Sequence, residues 1–391
     1  MILFHQLKLM INVIIKLFNS IKLSVYCLIL LFILVLITTL YQINHGIYYS
    51  VETFISSWFI TITLPGFLTK NTFPIFPGGM LVSTILLINL IVVHFKRFRF
   101  SLNKLGIWLT HFSVIVLIIG SGVTHYFAEE SLLLIHEGKT QNYSTDSRYF
   151  ELVFINPEPK SHDMVYSLSS KHFKNNFFVS IPELSLSYKI LKYYQHAKVT
   201  LADKVVDNSY EDGLGKFAKI QGLKPITSDD YKNVPTIILS IKDESNGKDY
   251  KRLLSGSIDS FQKIRIADKD ILVYLREKRH YLPFSIRLNK FIFDRYLGTN
   301  VPKNFESQIT VQPNTAFSQN VSISMNKPFR SSGYTFFQAS FTEDEKGTVL
   351  QVVKNFGWTI PYISFLLMTI GLIIQFIISF IHFFNKRKHH A

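Results

Sequence analysis

Four long apolar runs dominate the pattern of hydrophobic and polar positions along the chain. They cover residues 23–41, 79–95, 105–126 and 356–384, and no Lys, Arg, Asp or Glu interrupts them. An α-helix rises about 1.5 Å per residue, so each run can cross about 30 Å of hydrocarbon, the second only barely. None has the one-sided pattern of a helix in a soluble core. The pattern therefore predicts four transmembrane helices, three of them within residues 23–126.

A different pattern fills residues 127–355, between the third and fourth runs. Short segments such as "PTIILSIKD" and "FSIRLNKFIF" are rich in Val, Ile, Tyr and Phe and often alternate with polar residues. Turn signals such as "NPEP" and "ESNGKD" separate them. This is the pattern of β-strands joined by turns. We predict a membrane protein with a large all-β domain, a sandwich or an open barrel, between helices three and four.

The distribution of charge predicts how the chain lies in the membrane. Lys and Arg cluster in the amphipathic leader 1–22, in the link 96–104 and in the tail 385–391, and none of these segments contains an acid. The loop 42–78 carries a single Lys, and 26 of the 27 acidic residues fall within 127–355. Short basic loops stay in the cytoplasm. We expect both termini to be cytoplasmic, and the β domain to be extracytoplasmic, in a bacterial inner membrane.

Several functional classes find no support in the sequence. The net charge of +15 reflects the basic anchors, so nucleic-acid binding is not indicated. The single cysteine, Cys27, lies in the first helix, and there is no C-x-x-C, C-x-x-C-H, H-E-x-x-H, G-x-S-x-G or glycine-rich phosphate loop. The histidines of the β domain are scattered without ligand spacing: His136, His162, His172, His196 and His280. The candidate functional residues therefore lie in the predicted transmembrane helices.

The stretch "KLGIWLTHFSVIVLIIGSGVTHYF" places His111 in an apolar helix, seven residues beyond Lys104. His94 ends the preceding helix, and the short link predicts an antiparallel hairpin with both histidines in its basic half. An imidazole below a basic rim suits an amphipathic planar anion such as haem, which has an axial position on iron and two propionates. His111 is the candidate axial ligand to haem iron and His94 a further contact. Candidate propionate contacts are Lys96, Arg97 and Arg99.

A structural role for these histidines stays open at this point. A membrane histidine can hydrogen-bond across helices, at about 0.6 to 2 kcal/mol per contact. His94 can also extend its ring to the headgroups and do nothing more. Asn89, Gln375 and the small residues 120–122 suit close helix packing, either within the four helices or with further helices of a partner.

Two regions carry a resemblance to a known family. The stretch from "FPIFPGGMLVSTILLINLIVVHFKRF" to "HEGKTQNYS" resembles the ResB (CcsB) family of cytochrome c biogenesis proteins. The likeness resumes at "NVPKNFESQITV" and at "VSISMNKPFRSSGYTFFQASF". The order of three helices, an outer domain and a fourth helix is similar to that family over nearly the whole chain. The middle of the outer domain, about 160–280, adds little to the resemblance.

The resemblance implies a membrane subunit of the System II haem-delivery machinery. Such proteins work with a CcsA or ResC type of tryptophan-rich membrane protein and support the attachment of haem to apocytochrome c. The family associates a histidine of its third helix with haem, and that position matches His111. This chain has three tryptophans and lacks the tryptophan-rich segment of the partner. We therefore expect the chain to be a subunit of a haem–cytochrome c ligase and not to be catalytic alone.

Two further interpretations compete with haem handling. The chain could be a scaffold, or an apocytochrome-binding subunit, that never touches haem. It could also be a membrane receptor with a β ligand-binding domain, although the short basic tail offers no signalling module. Haem spectra of the purified protein distinguish the scaffold interpretation from haem handling. A tryptophan-rich membrane partner would argue against the receptor interpretation.

Overall fold

The computed structural model describes residues 16–63, 72–97, 101–157, 163–228, 232–299, 302–313 and 318–388. These residues form two compact units. The helical unit combines the chain up to Ala128 with the chain from Asn355 onward, and the β unit contains Glu129–Ile226 and Tyr231–Lys354. The leader before residue 16 and the end of the tail lie outside the described residues.

The prediction of four membrane-length helices is confirmed within the described part of the chain. They are α1 (Ile21–His45), α3 (Gly79–Arg97), α4 (Leu105–Phe127) and α5 (Ile360–Lys388). The loop between the first two holds structure that the sequence pattern did not predict: a short helix α2 (Ile47–Phe54) and an antiparallel hairpin of β1 (Phe59–Thr63) and β2 (Thr72–Pro77). Four apolar helices of this length indicate a membrane protein.

Contacts between the helices show that consecutive long helices run antiparallel. Asn89, late in α3, accepts a hydrogen bond from Ser24, early in α1. The Asn89 amide also donates to the Phe18 and Ser20 carbonyls at 2.6 and 3.1 Å. Asn89 is thus satisfied within the chain. One end of the helix set, which we call the basic end, therefore holds the start of α1, the end of α3 and the start of α4.

Helices α4 and α5 approach each other closely because glycines line their contact. A Cβ added at Gly106 would lie 2.5 Å from the Gln375 backbone nitrogen and 2.6 Å from the Gly371 carbonyl oxygen. At the other end of the contact, a Cβ added at Gly120 would lie 2.4 Å from the Ile360 side chain. Small residues allow such backbone approach between helices in a membrane. This packing holds α4 in place beside α5.

The β unit contains sixteen strands among its described residues, β3 to β18. Their bounds are Glu129–His136, Thr140–Asn156, Met164–Ser169, Phe178–Ile181, Leu186–Tyr194, Ala197–Leu201, Ala218–Gly222, Thr236–Asp243, Asp249–Ser255, Gln262–Ile266, Lys269–Arg295, Pro302–Pro313, Gln319–Ser324, Phe329–Ser331, Tyr334–Phe341 and Gly347–Lys354. The predicted all-β domain is confirmed.

The strands form a nearly closed sheet and a second layer. The large sheet runs β15-β14-β13-β4-β3-β18-β17-β16, and a bridge between Ser324 and Lys327 brings its two edges together. A four-stranded sheet, β11-β10-β7-β6, supplies the second layer, and β8 pairs with β9 as a separate hairpin. The domain therefore combines features of both architectures that the sequence left open, a nearly closed barrel and a sandwich.

Two large hydrophobic cores lie in the β unit, and the long strand β13 contributes to both. The first half of β13 packs with β4 against the four-stranded sheet, around buried residues such as Phe154 and Ile237. The second half of β13 lines the nearly closed sheet, around Ile286 and Phe336. β13 can serve both cores because its side chains alternate between faces along 27 residues.

A buried ion pair lies between these two cores. Arg276 Nε on β13 donates to Glu151 Oε1 on β4 at 2.7 Å, and its Nη1 donates to the Tyr274 hydroxyl, also at 2.7 Å. The two charged side chains are 8% and 6% exposed. Removing one partner of such a pair leaves an uncompensated buried charge, which costs about 3–5 kcal/mol. The pair therefore fixes the register of β4 against β13.

The glycine contact between α4 and α5 generates a test with a control on the same helix. Gly106→Ala should lower the free energy of unfolding in detergent by about 1–3 kcal/mol, because the new methyl group meets the α5 backbone. Gly122→Ala should be neutral or slightly stabilising, since nothing lies within 4 Å of that position. Thermal unfolding of the two purified variants measures both effects. Equal stability of the two variants would contradict this packing.

Candidate functional site

Two histidines meet at the basic end of the helical unit. His94, in the last turn of α3, is 2% exposed. Its ring centroid lies 4.8 Å from that of Trp108 on α4, and it also approaches Phe112 at 6.2 Å. The Trp108 and Phe112 rings stack on each other at 5.3 Å with an interplanar angle of 12°. His94 is therefore packed inside the hairpin of α3 and α4, more deeply than a residue at the headgroups would be.

His111 lies one turn further along α4 from Trp108, and its ring is partly buried. Its Nδ1 is 2.9 Å from the Ile107 carbonyl oxygen, one turn earlier in the same helix. A carbonyl oxygen only accepts hydrogen bonds, so Nδ1 carries the proton. In the neutral ring the lone pair then belongs to Nε2. This is the arrangement of a metal-ligating imidazole, whose other nitrogen donates to a carbonyl group.

His94 packs against Trp108, and His111 follows one turn later on the same helix. Together with Phe112 these residues form what we call the inner cluster: His94, Trp108, His111 and Phe112. Neutral imidazoles are the form that binds iron and other transition metals.

The inner cluster suits a metal that brings most of its own ligands. No group of three or more His, Cys, Asp or Glu side chains that could hold a metal ion occurs among the described residues. A bare ion would therefore lack ligands here. A metalloporphyrin already supplies four nitrogens and needs one or two imidazoles from the protein. Its flat face would also match the stacked rings of Trp108 and Phe112.

The predicted basic rim is described only in part. Lys96 lies in the last turn of α3 and is exposed, and Lys104, just before α4, is exposed as well. The Arg97 side chain and the whole of Arg99 lie outside the residues whose placement is described. The exposed lysines place positive charge at the same end of the helices as the inner cluster, where it can attract carboxylates.

The histidines of the β unit have structural partners instead. His196 Nδ1 accepts the Val234 N–H at 3.0 Å, and His136 pairs at the surface with Asp344 at 3.7 Å. His172 is exposed in a short helical turn. His162 lies outside the described residues.

His280 is largely enclosed, with a side chain that is 16% exposed. Its Nε2 lies 3.3 Å from Asp146 Oδ2, and its Nδ1 lies 3.9 Å from Glu129 Oε2. Burial alone would raise the pKa of Asp146. The hydrogen bonds from His280 and from the backbone N–H groups of Arg148 and Tyr149 outweigh burial, so the pKa of this carboxyl lies below its ordinary value. The group joins strands β3, β4 and β13.

The polar and small residues predicted to pack between helices divide into two kinds. Asn89 and Gly120 are used inside the helical unit, as described above. Gln375 contacts Gly106 through its backbone, and its buried Oε1 accepts no hydrogen bond from the described residues. Ser121 is exposed and Gly122 has open space around it, so this part of α4 remains accessible to another helix.

The sequence of this chain is similar to a known protein family and to a known protein. Residues 256–350 match the model of the ResB-like family. Over 294 residues the chain is 26% identical to Protein NrfI of Wolinella succinogenes, an alignment that covers 74% of this chain. The chain spans only 29% of the length of NrfI. The family match falls on β12 to β18 and the turns between them, which include the second of the two stretches that carried the resemblance.

The fold defines the class of this protein: a membrane protein with four long apolar helices and a large β domain between the third and the fourth of them. The resemblance to the ResB-like family is confirmed by the matches. The helices that carry the inner cluster lie outside the region of the family match, so the chemistry of that cluster must be argued from its own geometry.

Proposed function

We propose that this chain is a haem-handling membrane subunit of the System II cytochrome c maturation machinery. The observation that carries the proposal is the geometry of His111, whose Nδ1 is held by the Ile107 carbonyl at 2.9 Å so that Nε2 bears the lone pair. The ResB-like match supports the biological setting. Haem is cargo in this proposal, and the covalent attachment to apocytochrome c requires a partner.

Each residue of the inner cluster has a role in the proposal. His111 binds the haem iron, and His94 contacts the same haem or guides it. The stacked rings of Trp108 and Phe112 offer a flat apolar surface. The basic residues Lys96, Arg97 and Arg99 hold the propionates at the membrane surface, where bidentate charge-assisted hydrogen bonds from arginine to carboxylates are strong. Haem supplies the redox-active iron and the vinyl groups that become attached to cytochrome.

The hydrogen bond of His111 helps it act as a ligand. Iron binds a nitrogen that carries a lone pair, and the bond from Nδ1 to the Ile107 carbonyl leaves that lone pair on Nε2. The intrahelical hydrogen bond fixes the ring orientation before haem arrives, so binding does not have to order the side chain. A purely structural histidine would gain the same hydrogen bond, and an experiment must separate the two roles.

The first test removes the proposed ligand. His111→Ala or His111→Gly should eliminate the haem that copurifies with the protein complex and abolish cytochrome c assembly, because iron loses its axial nitrogen. Added imidazole should partly restore both, since a free ligand can occupy the vacated space. His94→Ala should have a smaller effect. His125→Ala, an exposed histidine on the same helix, is the control and should leave haem unchanged.

The absorption spectrum and haem content of the purified complexes decide between the proposal and its main alternative. If the His111→Ala complex keeps its full haem content and an unchanged spectrum, His111 is not a haem ligand. The scaffold interpretation, in which this chain holds apocytochrome or the partner without touching haem, would then replace the present one.

We also propose that the basic end of the helices faces the cytoplasm and that the β unit lies outside, in the inner membrane of a bacterium. Ten Lys and Arg residues in the short basic segments 1–22, 96–104 and 385–391, against one in the loop 42–78, support this orientation. It places the inner cluster where haem made in the cytoplasm would arrive.

Reporter fusions test this orientation. Fusions at Lys160 and Lys388 should report opposite compartments, with Lys160 outside, because the basic segments are retained in the cytoplasm. A fluorescent or enzymatic reporter that is active on only one side of the membrane gives the measurement. Signals from the same compartment at both positions would overturn the proposed topology.

We further propose that the chain associates with a CcsA or ResC type of tryptophan-rich membrane protein and receives apocytochrome c on its outer side. The exposed Ser121 and the open space at Gly122 support a helix contact on α4, since small residues let a second helix approach. Gly106 and Gly120, in contrast, are already covered by α5.

Affinity purification in mild detergent, from cells that make c-type cytochromes, tests the partnership. It should recover a tryptophan-rich multispanning protein, and Gly122→Leu should reduce that recovery by filling the open position without unfolding the chain. Ser379→Leu, an exposed position on α5, serves as the matched control. Recovery of this protein alone would contradict the proposed partnership.

A further inference from the structure

The segment between α1 and α3 lies at the end of the helical unit opposite the basic end, because α1 begins and α3 ends at the basic end. It contains helix α2 and the hairpin of β1 and β2. Gly46 adopts φ 76°, a conformation that favours glycine, and its N–H closes the last turn of α1 on the Gln42 carbonyl. Helix α2 begins at the next residue. The segment therefore starts at the end of a membrane-length helix, with no linker in between.

Backbone contacts fix the hairpin to the start of α3. The Gly78 N–H donates to the Trp58 carbonyl at 2.9 Å, and the Met80 N–H donates to the Ser57 carbonyl at 3.2 Å. A Cβ added at Gly78 would collide with the Ser57 carbonyl oxygen, so glycine is needed there. On the inner side of the hairpin, Ile60 packs against the hydrophobic core that α1 and α3 share. The hairpin is thus a fixed part of the helical unit.

The outward side of the hairpin is apolar as well. Phe59 precedes Ile60 along β1, so its side chain points away from that core, and it is 53% exposed. Ile75 lies at a β-bulge of β2 and is 56% exposed. Trp58, just before β1, is exposed too. We call Trp58, Phe59 and Ile75 the outward face. A hairpin that packs on one side and meets water on the other would carry polar residues here.

Charge is nearly absent from this segment. Among the described residues 43–63 and 72–77, Glu52 is the single Asp, Glu, Lys or Arg. Helix α2 also exposes the rings of Tyr48 and Tyr49. Tyrosine and tryptophan, which have an apolar body and a polar tip, are enriched where a membrane meets water. The composition therefore fits the membrane interface better than bulk water.

Two physical constraints decide where the hairpin can lie. Among the described residues it is a sheet of two strands, so its outer edges carry backbone N–H and C=O groups that no third strand pairs. Open sheet edges do not occur in lipid hydrocarbon. An isolated two-stranded hairpin is marginal in water, and an exposed apolar face there is unfavourable. The zone between headgroups and acyl chains satisfies both constraints, because it hydrates the edges and covers the apolar side chains.

The surface of α1 indicates that lipid covers the outward side of this segment. Leu36, Leu40 and Ile43, in the last turns of α1, are exposed apolar residues on a membrane-length helix. Ile47 continues this exposed apolar surface on the other side of the Gly46 turn. The segment is therefore continuous with a surface that already faces lipid, and this continuity favours lipid over a protein as the occupant.

We propose that α2 and the hairpin of β1 and β2 dock into the lipid interface at the end of the helices opposite the basic end. Trp58, Phe59 and Ile75 enter the zone between headgroups and acyl chains, and the open strand edges stay hydrated. The contact is apolar and does not depend on lipid charge. It fixes the depth of the adjoining ends of α1 and α3. This interaction goes beyond haem handling and holds whether or not the chain binds haem.

Spin labels at single cysteines test the docking in the full-length protein. Cys27, the one native cysteine, is replaced by Ala, and a label is attached at Phe59→Cys or Ile75→Cys. In phosphatidylcholine vesicles, power-saturation electron paramagnetic resonance measures collisions with oxygen, which concentrates in lipid, and with a water-soluble nickel complex. Both labels should lie about 5–10 Å below the headgroup boundary. They should collide less with nickel than a label at Asn246→Cys, in an exposed turn of the β unit.

Three controls calibrate this measurement. Leu372→Cys, exposed on α5, should report a depth of about 15 Å, which is half the hydrocarbon thickness. Glu52→Cys, in the same segment as the test positions, should lie nearer to water than Ile75→Cys, because the native carboxylate must stay hydrated. Thermal unfolding should be the same for the labelled proteins, since Phe59 and Ile75 are exposed.

Different results would overturn the proposal in distinguishable ways. Nickel collisions at Ile75→Cys as frequent as those at Asn246→Cys or Glu52→Cys would place the outward face in water. Rare collisions with both oxygen and nickel would show that protein, a second copy or a partner, covers the face. A depth that appears only after phosphatidylglycerol is added would show that charge, and not apolar contact, drives the docking.

Discussion

The cost of holding an imidazole ring in hydrocarbon is the constraint on which the inner cluster depends. A polar ring at this depth is tolerated when its hydrogen-bonding groups are satisfied by protein. The Ile107 carbonyl accepts a hydrogen bond from Nδ1 of His111, and the ring of Trp108 packs against the ring of His94. The contact between Trp108 and His94 requires that the end of α3 lies against the start of α4, whereas the hydrogen bond of His111 lies within α4 alone. The burial of His94 therefore depends on the hairpin that the two helices form.

Close packing elsewhere keeps that arrangement rigid. Helix α4 carries Trp108 and His111 and is locked to α5 by Gly106, Gly120 and Gly371, where added methyl groups would meet neighbouring atoms at under 3 Å. Sites built on rigid elements hold their ligands with less loss of entropy than sites on loops. The β unit has its own two cores and its own buried ion pair, so its fold does not depend on the histidines of the helices.

Much of the architecture could be predicted from the sequence because it rests on local signals. Length and hydropathy predicted α1, α3, α4 and α5, and alternation predicted most of the long strands. The position of His111 on α4 also followed from counting along one helix. The extra structure between α1 and α3 was missed, because helix α2 is only eight residues long and the hairpin contains prolines. The length of β13 was missed because Pro283 and polar residues interrupt its alternation.

The features that the sequence could not predict depend on contacts between distant segments. His94 is buried by Trp108, which lies on the other side of the basic link in sequence. From its position two residues before that link, the sequence alone would place His94 at the membrane interface. The second layer of the β domain pairs residues of β7 and β10 that are 42 to 57 positions apart in sequence, and no local pattern specifies such a pairing. Helix α1 continues past the apolar run to His45, and this extension lets the His45 ring stack on Tyr41. The hydropathy pattern did not predict the extension.

The central claim is that a histidine nitrogen of this chain binds haem iron within the membrane. Pulsed electron paramagnetic resonance of the ferric complex, reconstituted with haemin from this chain labelled with ¹⁵N-histidine and an unlabelled partner, measures that bond directly through the coupling of the iron spin to the labelled nitrogen. The account predicts a strong ¹⁵N coupling when only this chain carries the labelled histidine. A complex that contains haem yet shows no coupling to histidine of this chain would contradict it.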